Sequence, residues 1–175
     1  MKDPALSKAH FMPMKRLIAV DDAEAMCARL DAHPEILHLE TPLGGWIHMA
    51  AHVNALNCAR ALIERGVNID GHYNSQMGSA LNVACSDGQM GMVELLLEAG
   101  ASVEATLPEF NALFSAVHAN RPDIAQRLVE AGVDVAIEYQ KGWTPLRFAE
   151  EMGIAEMAVW LRRQIGWVTT PNAEG

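Results

Sequence analysis

Residues 88–103 read GQMGMVELLLEAGASV, and this stretch decides the fold. A leucine-rich apolar run from Gln89 to Ala99 lies between two glycines, Gly88 and Gly100. Glycine readily takes the left-handed backbone conformation that ends a helix. The stretch therefore predicts one helix over residues 89–99 with a turn on each side.

The pattern recurs along the chain with spacings of 32, 34, 32 and 33 residues. One series of positions is leucine in every copy, namely Leu30, Leu62, Leu96, Leu128 and Leu161. A second series with the same spacings is mostly alanine, namely Ile18, Ala50, Ala84, Ala116 and Ala149. Two independent series in one register indicate five copies of one structural unit.

Each copy predicts two helices followed by an extended segment. The short first helices are expected over residues 47–53, 81–86, 113–119 and 146–152, and the longer second helices over residues 55–65, 89–99, 121–131 and 154–164. The turns between them contain Asn54, Gly88, Asn120 and Gly153, and three of the longer helices end at Gly66, Gly100 and Gly132. Because one such hairpin cannot bury its apolar face alone, neighbouring hairpins must stack.

Two stretches resemble the ankyrin-repeat family. Residues 88–103 are similar to the second half of an ankyrin repeat. Residues 142–149, GWTPLRFA, are similar to the opening Thr-Pro-Leu-His-x-Ala, with Arg147 in the histidine position. The resemblance implies an all-α ankyrin-repeat solenoid of about five helix-turn-helix repeats with β-turn fingers. It also implies that the chain binds another protein.

One ankyrin-repeat domain is predicted over residues 12–166, with repeats near residues 12–44, 45–78, 79–110, 111–143 and 144–166. Residues 1–11 and 167–175 are predicted to be flexible tails, and both terminal repeats to be polar caps. Only the last repeat keeps Thr-Pro, since the others begin with Gly45–Trp46, Ser79–Ala80 and Asn111–Ala112. Looser junctions are expected there.

Composition and charge narrow the class of protein. The chain has 175 residues, is 50% apolar and carries a net charge of −9. The charge disfavours nucleic acid or an anionic membrane as a partner, because phosphate binding needs clustered Lys and Arg. No apolar run approaches the roughly 18 residues of a membrane span, and the N-terminus lacks the apolar core of a signal peptide. The cysteines Cys27, Cys58 and Cys85 form no CxxC pair and fit buried thiols. We expect a cytoplasmic protein that is a monomer when free.

The sequence offers no catalytic motif, because it lacks a P-loop, an HExxH and a GxSxG. His48 and His52 have a spacing that can hold a metal ion, but no third ligand is apparent. The resemblance places His48 at the structural histidine of the family. Asp21 or Asp22 is predicted to be a helix N-cap rather than a catalytic acid. We therefore predict a non-catalytic protein with no metal and no cofactor.

The binding surface is predicted on the fingers and the short helices, which line the usual binding face of ankyrin repeats. The candidate protein-binding residues are His38, Glu40, His52, Tyr73, Asn74, Met77, Asp87, Glu109, Phe110, His118, Tyr139, Lys141, Trp143 and Glu151. Tyr73, Phe110 and Tyr139 are interpreted either as interface anchors or as core residues beneath a finger. Trp143 and Trp46 are interpreted as packing residues.

The fingers are also acidic. Against one base, Lys141, they carry seven acids, Glu35, Glu40, Asp70, Glu104, Glu109, Asp134 and Glu138. An acidic rim predicts a basic protein partner held near 1:1, and the alternative is that the acids serve solubility. Within protein binding, the hypothesis is an inhibitor or immunity protein that neutralises a toxin or another enzyme. The alternative is an adaptor or scaffold that links partners without inhibition.

Overall fold

A computed structural model describes residues 4–41, 44–72, 78–105 and 107–169, with side chains described for residues 9–166 of these ranges. The described residues form ten α-helices, and their only β-pairings are isolated bridges at Thr41–Gly44 and Tyr139–Trp143. The chain divides into two compact units, residues 1–102 and 103–175. None of the described helices is long and apolar enough to cross a membrane.

The first unit contains three helical hairpins. Its helices are α1 (Pro4–Ala19), α2 (Ala23–Ala32), α3 (Trp46–His52), α4 (Leu56–Glu64), α5 (Ala80–Ser86) and α6 (Met90–Glu98). The two helices of each hairpin pack on each other, α1 and α5 both pack on α3, and α2 and α6 both pack on α4. The unit is thus two layers of helices, as stacked hairpins require.

The second unit contains two hairpins. Its helices are α7 (Ala112–His118), α8 (Pro122–Glu130), α9 (Pro145–Glu151) and α10 (Ala155–Thr169). Here α7 packs on both α8 and α9, and α9 packs on α10. Short 3₁₀ turns precede α7 and α9, at Pro108–Phe110 and Gln140–Gly142. An all-α fold of helix-turn-helix repeats is therefore confirmed.

The burial of the repeated positions agrees with their predicted register. The repeated leucine positions are all in the core, and so are the repeated small positions: Leu30, Leu62, Leu96, Leu128, Leu161, Ile18, Ala50, Ala84, Ala116 and Ala149. Alanine at the small positions lets the two helices of a hairpin approach closely, while each leucine fills the space between layers.

The turn inside each hairpin has one residue with a left-handed backbone. Asn54, Gly88, Asn120 and Gly153 take this conformation as predicted, with φ between 51° and 70°. Asp21, with φ of 54°, holds the same position in the first hairpin. Asn and Asp tolerate this region better than other residues with a Cβ, because their short polar side chains can hydrogen-bond locally.

The chain ends differ from the predicted tails. Residues 4–11 belong to α1, which also contains Pro13. The reason is a stripe of inward side chains one turn apart, His10, Met14 and Ile18, all of them buried. At the other end α10 continues to Thr169, and residues 170–175 lie outside the described part of the chain.

Two junctions without Thr-Pro have side-chain caps of their own. Asn82 Oδ1 accepts hydrogen bonds from Ser79 N and Ser79 Oγ, both at 3.1 Å. Asn111 Oδ1 accepts from Leu113 N at 2.8 Å. Thr144 plays this part before α9, where its Oγ1 accepts from Arg147 N at 3.1 Å. These bonds satisfy helix N-terminal donors that would otherwise be unpaired, so we see no loss of capping at these two junctions.

Candidate functional site

The segment between α2 and α3, the first finger, and the segment between α4 and α5, the second finger, both contribute to a cleft in the first unit. His38 and Glu40 are exposed on the first finger, as predicted, and they line the cleft together with His72 of the second finger. The cleft has a volume of about 230 Å³, and Trp46 forms part of its wall. Trp46 is fully buried and its Nε1 donates to the Ile36 carbonyl at 2.7 Å, which fits its interpretation as a packing residue.

His48 and His52 point to different partners despite their helical spacing. The Nε2 of His48 donates to the backbone carbonyl of Gly71 at 2.9 Å, and burial lowers the pKa of this imidazole. This bond joins α3 to the second finger, so His48 has a structural part. His52 is exposed, and its Nδ1 lies 2.6 Å from Asp87 Oδ2. Two predicted binding residues thus meet across neighbouring hairpins of the first unit.

The fingers of the second unit surround a tyrosine. The hydroxyl of Tyr139 donates to the Ala105 carbonyl and accepts from Asn111 Nδ2, each at 3.0 Å. Its ring also makes an edge contact with Phe114, with centroids 5.8 Å apart. Both the ring and the hydroxyl of Tyr139 therefore make contacts within the second unit. Phe110, by contrast, is half-buried at the end of a 3₁₀ turn, next to the exposed Glu109.

An aromatic group lies beside α9. Trp143 makes an edge contact with Phe148 at a centroid distance of 6.0 Å, and the exposed His118 stacks on Phe148 at 6.5 Å. The guanidinium of Arg147 lies 5.3 Å from the Trp143 ring, within the range of a cation–π contact. The sequence did not indicate this arrangement, because His118 and Phe148 lie in different repeats.

In the last repeat, Arg147 stands at the position where the family has a histidine, and it makes bonds that connect the finger to the helix. Its Nη1 donates to the backbone carbonyl of Lys141 at 2.8 Å, and its Nε lies 2.7 Å from the Glu151 carboxylate. Arg147 thus ties α9 to the finger that precedes it. Lys141 itself is exposed, with a left-handed φ of 65°. Arg147 thus contacts the backbone of Lys141 and the side chain of Glu151.

Three candidate binding residues, Tyr73, Asn74 and Met77, lie outside the described residues. The seven acids of the fingers are described, and all are exposed: Glu35, Glu40, Asp70, Glu104, Glu109, Asp134 and Glu138. Two of them also serve the fold, because Asp70 accepts from Ser102 N and Asp134 accepts from Ala136 N, both at 2.8 Å.

Sequence reasoning missed one further group, at the first hairpin. His10 lies against His33, with ring centroids 4.5 Å apart, and His33 Nδ1 lies 3.3 Å from Glu35 Oε1. Interpreting residues 1–11 as a tail removed His10 from consideration. The spacing of His10, Met14 and Ile18 by four residues was the signal that could have found it.

Comparison with known proteins agrees with this architecture. The family model described as "Ankyrin repeats (3 copies)" matches residues 23–107. The human protein "Ankyrin repeat and SOCS box protein 11" is 31% identical over 124 residues, which cover 71% of this chain and 38% of the relative. "Ankyrin repeat protein nuc-2" of Neurospora crassa is 33% identical over 136 residues, covering 72% of this chain and 12% of the relative.

A third relative, "Ankyrin repeat and SOCS box protein 14" of the mouse, is 35% identical over 106 residues, which cover 55% of this chain and 16% of the relative. The chain thus spans well under half the length of the relatives it matches. Ankyrin repeats are protein-interaction modules, and none of these relatives is named as an enzyme. The repeat length, the buried leucine and alanine series and the matched relatives lead to one conclusion: the chain belongs to the ankyrin-repeat family.

Proposed function

We propose that the chain is a non-catalytic binding module that holds one basic partner protein, near 1:1, on its acidic fingers and short helices. The observation that carries this proposal is the exposure of all seven finger acids. Acidic groups around apolar anchors attract a cationic surface and speed its association more than they tighten the final complex.

The separation of charges supports the same surface. The finger acids contrast with the described arginines, which lie on helices or at helix ends, and four of these arginines are paired with acids there. Arg65 Nη2 lies 3.1 Å from Asp31, and Arg162 Nη2 lies 2.6 Å from Glu150. The charge of the fingers is therefore not cancelled by these arginines. A standard complex buries about 800 Å² on each partner, which a few fingers and short helices can supply.

Phe110 is the apolar anchor that we propose in this surface. It is half-buried beside Glu109, and its backbone is held in a 3₁₀ turn. An aromatic ring that is already ordered loses little entropy on binding, which is why such residues dominate interface energies. The occupied hydroxyl of Tyr139 makes that residue a support for the finger rather than an anchor.

A sharper version of the proposal is that the chain is an inhibitor or immunity protein for a toxin or another enzyme. It requires that the partner be an enzyme and that the complex block its active site. The alternative is an adaptor, in which a bound enzyme keeps its activity. An activity assay of the purified complex separates the two, since residual activity at saturating chain supports the adaptor.

The experiment begins by capturing partners from source-cell lysate at physiological salt and identifying them by mass spectrometry. Affinity for the purified partner is then measured for wild type, for Glu109→Lys/Glu138→Lys and for the control Glu94→Lys/Glu98→Lys. All four glutamates are exposed, and both variants change the net charge equally, but the control residues lie on α6. We expect slower association for the finger variant alone. Equal effects of the two variants would mean that only net charge matters and would refute the surface.

The anchor is tested separately with Phe110→Ala, which we expect to weaken binding by at least about 1 kcal/mol. Val159→Ala is its control, because Val159 is an exposed apolar residue on α10. Wild-type affinity for Phe110→Ala would place the apolar contact elsewhere.

A further inference from the structure

The first hairpin brings together three side chains that can bind metal. One is His10 on α1, and the other two are His33 and Glu35, at the end of α2 and in the turn that follows it. Each offers one ligand atom, and the three atoms lie within 4.8 Å of one another. We propose that His10, His33 and Glu35 form a binding site for one divalent transition-metal ion of the zinc type. This inference is independent of the proposed partner surface.

The donor set favours this class of ion. Two imidazoles and one carboxylate suit Zn²⁺ and its neighbours, whereas Ca²⁺ and Mg²⁺ prefer oxygen ligands alone. With metal–ligand bonds of about 2.0–2.1 Å, two ligand atoms of a tetrahedral site lie about 3.3 Å apart. The His33–Glu35 pair already meets this separation at 3.3 Å. The ligand atom of His10 lies within 4.8 Å of the other two, so it must move closer for all three to bind one ion.

The backbone around the three ligands is held by the core. Met14 and Ile18 fix α1, Leu30 fixes α2, and Ile36 fixes the turn that contains Glu35. All four are buried, so the ligands are presented from rigid elements rather than from a loose loop. His10 is buried, whereas the side chains of His33 and Glu35 are 43% and 52% exposed. An ion can therefore enter from solvent, and water can occupy a fourth position.

Arg29 competes with the ion for His10. Its Nη2 lies 3.2 Å from His10 Nδ1. A guanidinium can only donate, so Nδ1 is the acceptor and Nε2 carries the proton of the neutral ring. Burial, with His33 and Arg29 nearby, lowers the pKa of His10. An ion that binds Nδ1 must displace Arg29. An ion that binds Nε2 requires the ring proton to move from Nε2 to Nδ1, and Nδ1 then can no longer accept the hydrogen bond from Arg29.

The guanidinium of Arg29 is only partly hydrogen-bonded, because its buried Nε has no hydrogen-bond acceptor among the described residues. Its displacement therefore costs one hydrogen bond and exposes a guanidinium that solvent can satisfy. The consequence is a site of moderate affinity that joins α1 to the end of α2. Binding there stabilises the first hairpin, since an ion that binds only the folded state raises its stability.

The test uses the full chain without a polyhistidine tag, titrated with Zn²⁺ against a chromophoric chelator, and with Co²⁺ monitored by visible absorption. The variants are His33→Ala, Glu35→Gln and Arg29→Gln, and the matched control is His118→Ala, which removes another exposed histidine. Circular dichroism without metal checks that each variant is folded. Because His33 and Glu35 are substantially exposed, neither change removes core packing.

We expect one Zn²⁺ per chain for wild type and His118→Ala, and a higher melting temperature when Zn²⁺ is added. His33→Ala and Glu35→Gln should each lower the affinity for Zn²⁺ by at least roughly 10–100-fold, which is the loss that follows removal of a residue that only hydrogen-bonds a metal ligand. Arg29→Gln should bind more tightly, because the competing cation is gone. Zn²⁺ binding that is absent from wild type, or unchanged in both His33→Ala and Glu35→Gln, would overturn the proposal.

Discussion

Leu96 is the residue at which the repeat register can be tested most directly. It is fully buried on α6, which packs on α5 of its own hairpin and on α4 of the preceding one. The perturbation is Leu96→Ala. Its control is Leu97→Ala, the same chemical change one residue later at a partly exposed position of the same helix.

The expected cost follows from the volume removed. The change deletes three carbon atoms, which are worth roughly 0.8 kcal/mol each when they are fully buried. A cavity remains because both helix layers can relax only in part, and it raises the total to about 2.7–5 kcal/mol. For a chain of this size, each kcal/mol lowers the melting temperature by about 2–4 °C, so the loss should be at least roughly 5 °C.

The assay is urea unfolding of both variants, followed by circular dichroism, together with a thermal melt. We expect Leu97→Ala to cost less than half as much as Leu96→Ala, because part of the Leu97 side chain remains in water in the folded state. Leu128→Ala should resemble Leu96→Ala, since Leu128 occupies the same repeat position and is equally buried. An unchanged midpoint for Leu96→Ala, or a larger loss for Leu97→Ala, would refute the register.

Three further predictions concern residues of the first unit. Asp21→Ala should lower the free energy of unfolding, measured in urea, by about 1–2 kcal/mol. The Asp21 carboxylate accepts hydrogen bonds from two backbone N–H groups at the start of α4, at 2.8 and 3.1 Å, and Asp21→Asn should therefore cost less than Asp21→Ala. Stability should fall as pH drops below about 6.5, because burial lowers the pKa of His48 in the folded state and the unfolded chain then binds more protons. Thermal melts between pH 5 and 8 should show a weaker pH dependence for His48→Gln than for wild type, and an equal dependence would contradict this role. Iodoacetamide at neutral pH should label the half-exposed Cys27 before Cys58 and Cys85, because burial raises the pKa of both these thiols to about 12. Mass spectrometry of the labelled native protein measures the order of labelling, and equal labelling of the three cysteines would contradict the prediction.

Much of the repeat could be predicted from local chemistry. Gly88 and Asn120 end short helices because their backbones tolerate positive φ, and Pro122 begins α8 because a first-turn residue needs no N–H partner. The predicted and observed bounds of α3 to α9 differ by at most one residue, as is usual at helix ends, whereas α10 continues to Thr169 instead of ending at the predicted residue 164. These features depend on a residue and its immediate neighbours, so a pattern in the sequence can reveal them.

The candidate surface was less predictable. Tyr139 could be an anchor or a core residue until the positions of Ala105 and Asn111 were known, because both bond its hydroxyl from more than 25 residues away. The part played by Arg147 likewise depended on the fold of the finger that precedes α9. The exposure of the finger acids, in contrast, followed from their position in extended segments outside the core.

The sequence by itself determined the helices α3 to α9, their turns and the buried leucine and alanine series, because backbone preference and helical periodicity are local properties. Only the tertiary structure decided that Asp21 caps α4, that His48 bonds Gly71, and that α1 reaches back to place His10 beside His33. Each of these contacts joins residues more than 20 positions apart. Their formation depends on how the hairpins stack, which a repeated pattern implies in general but does not specify for individual side chains.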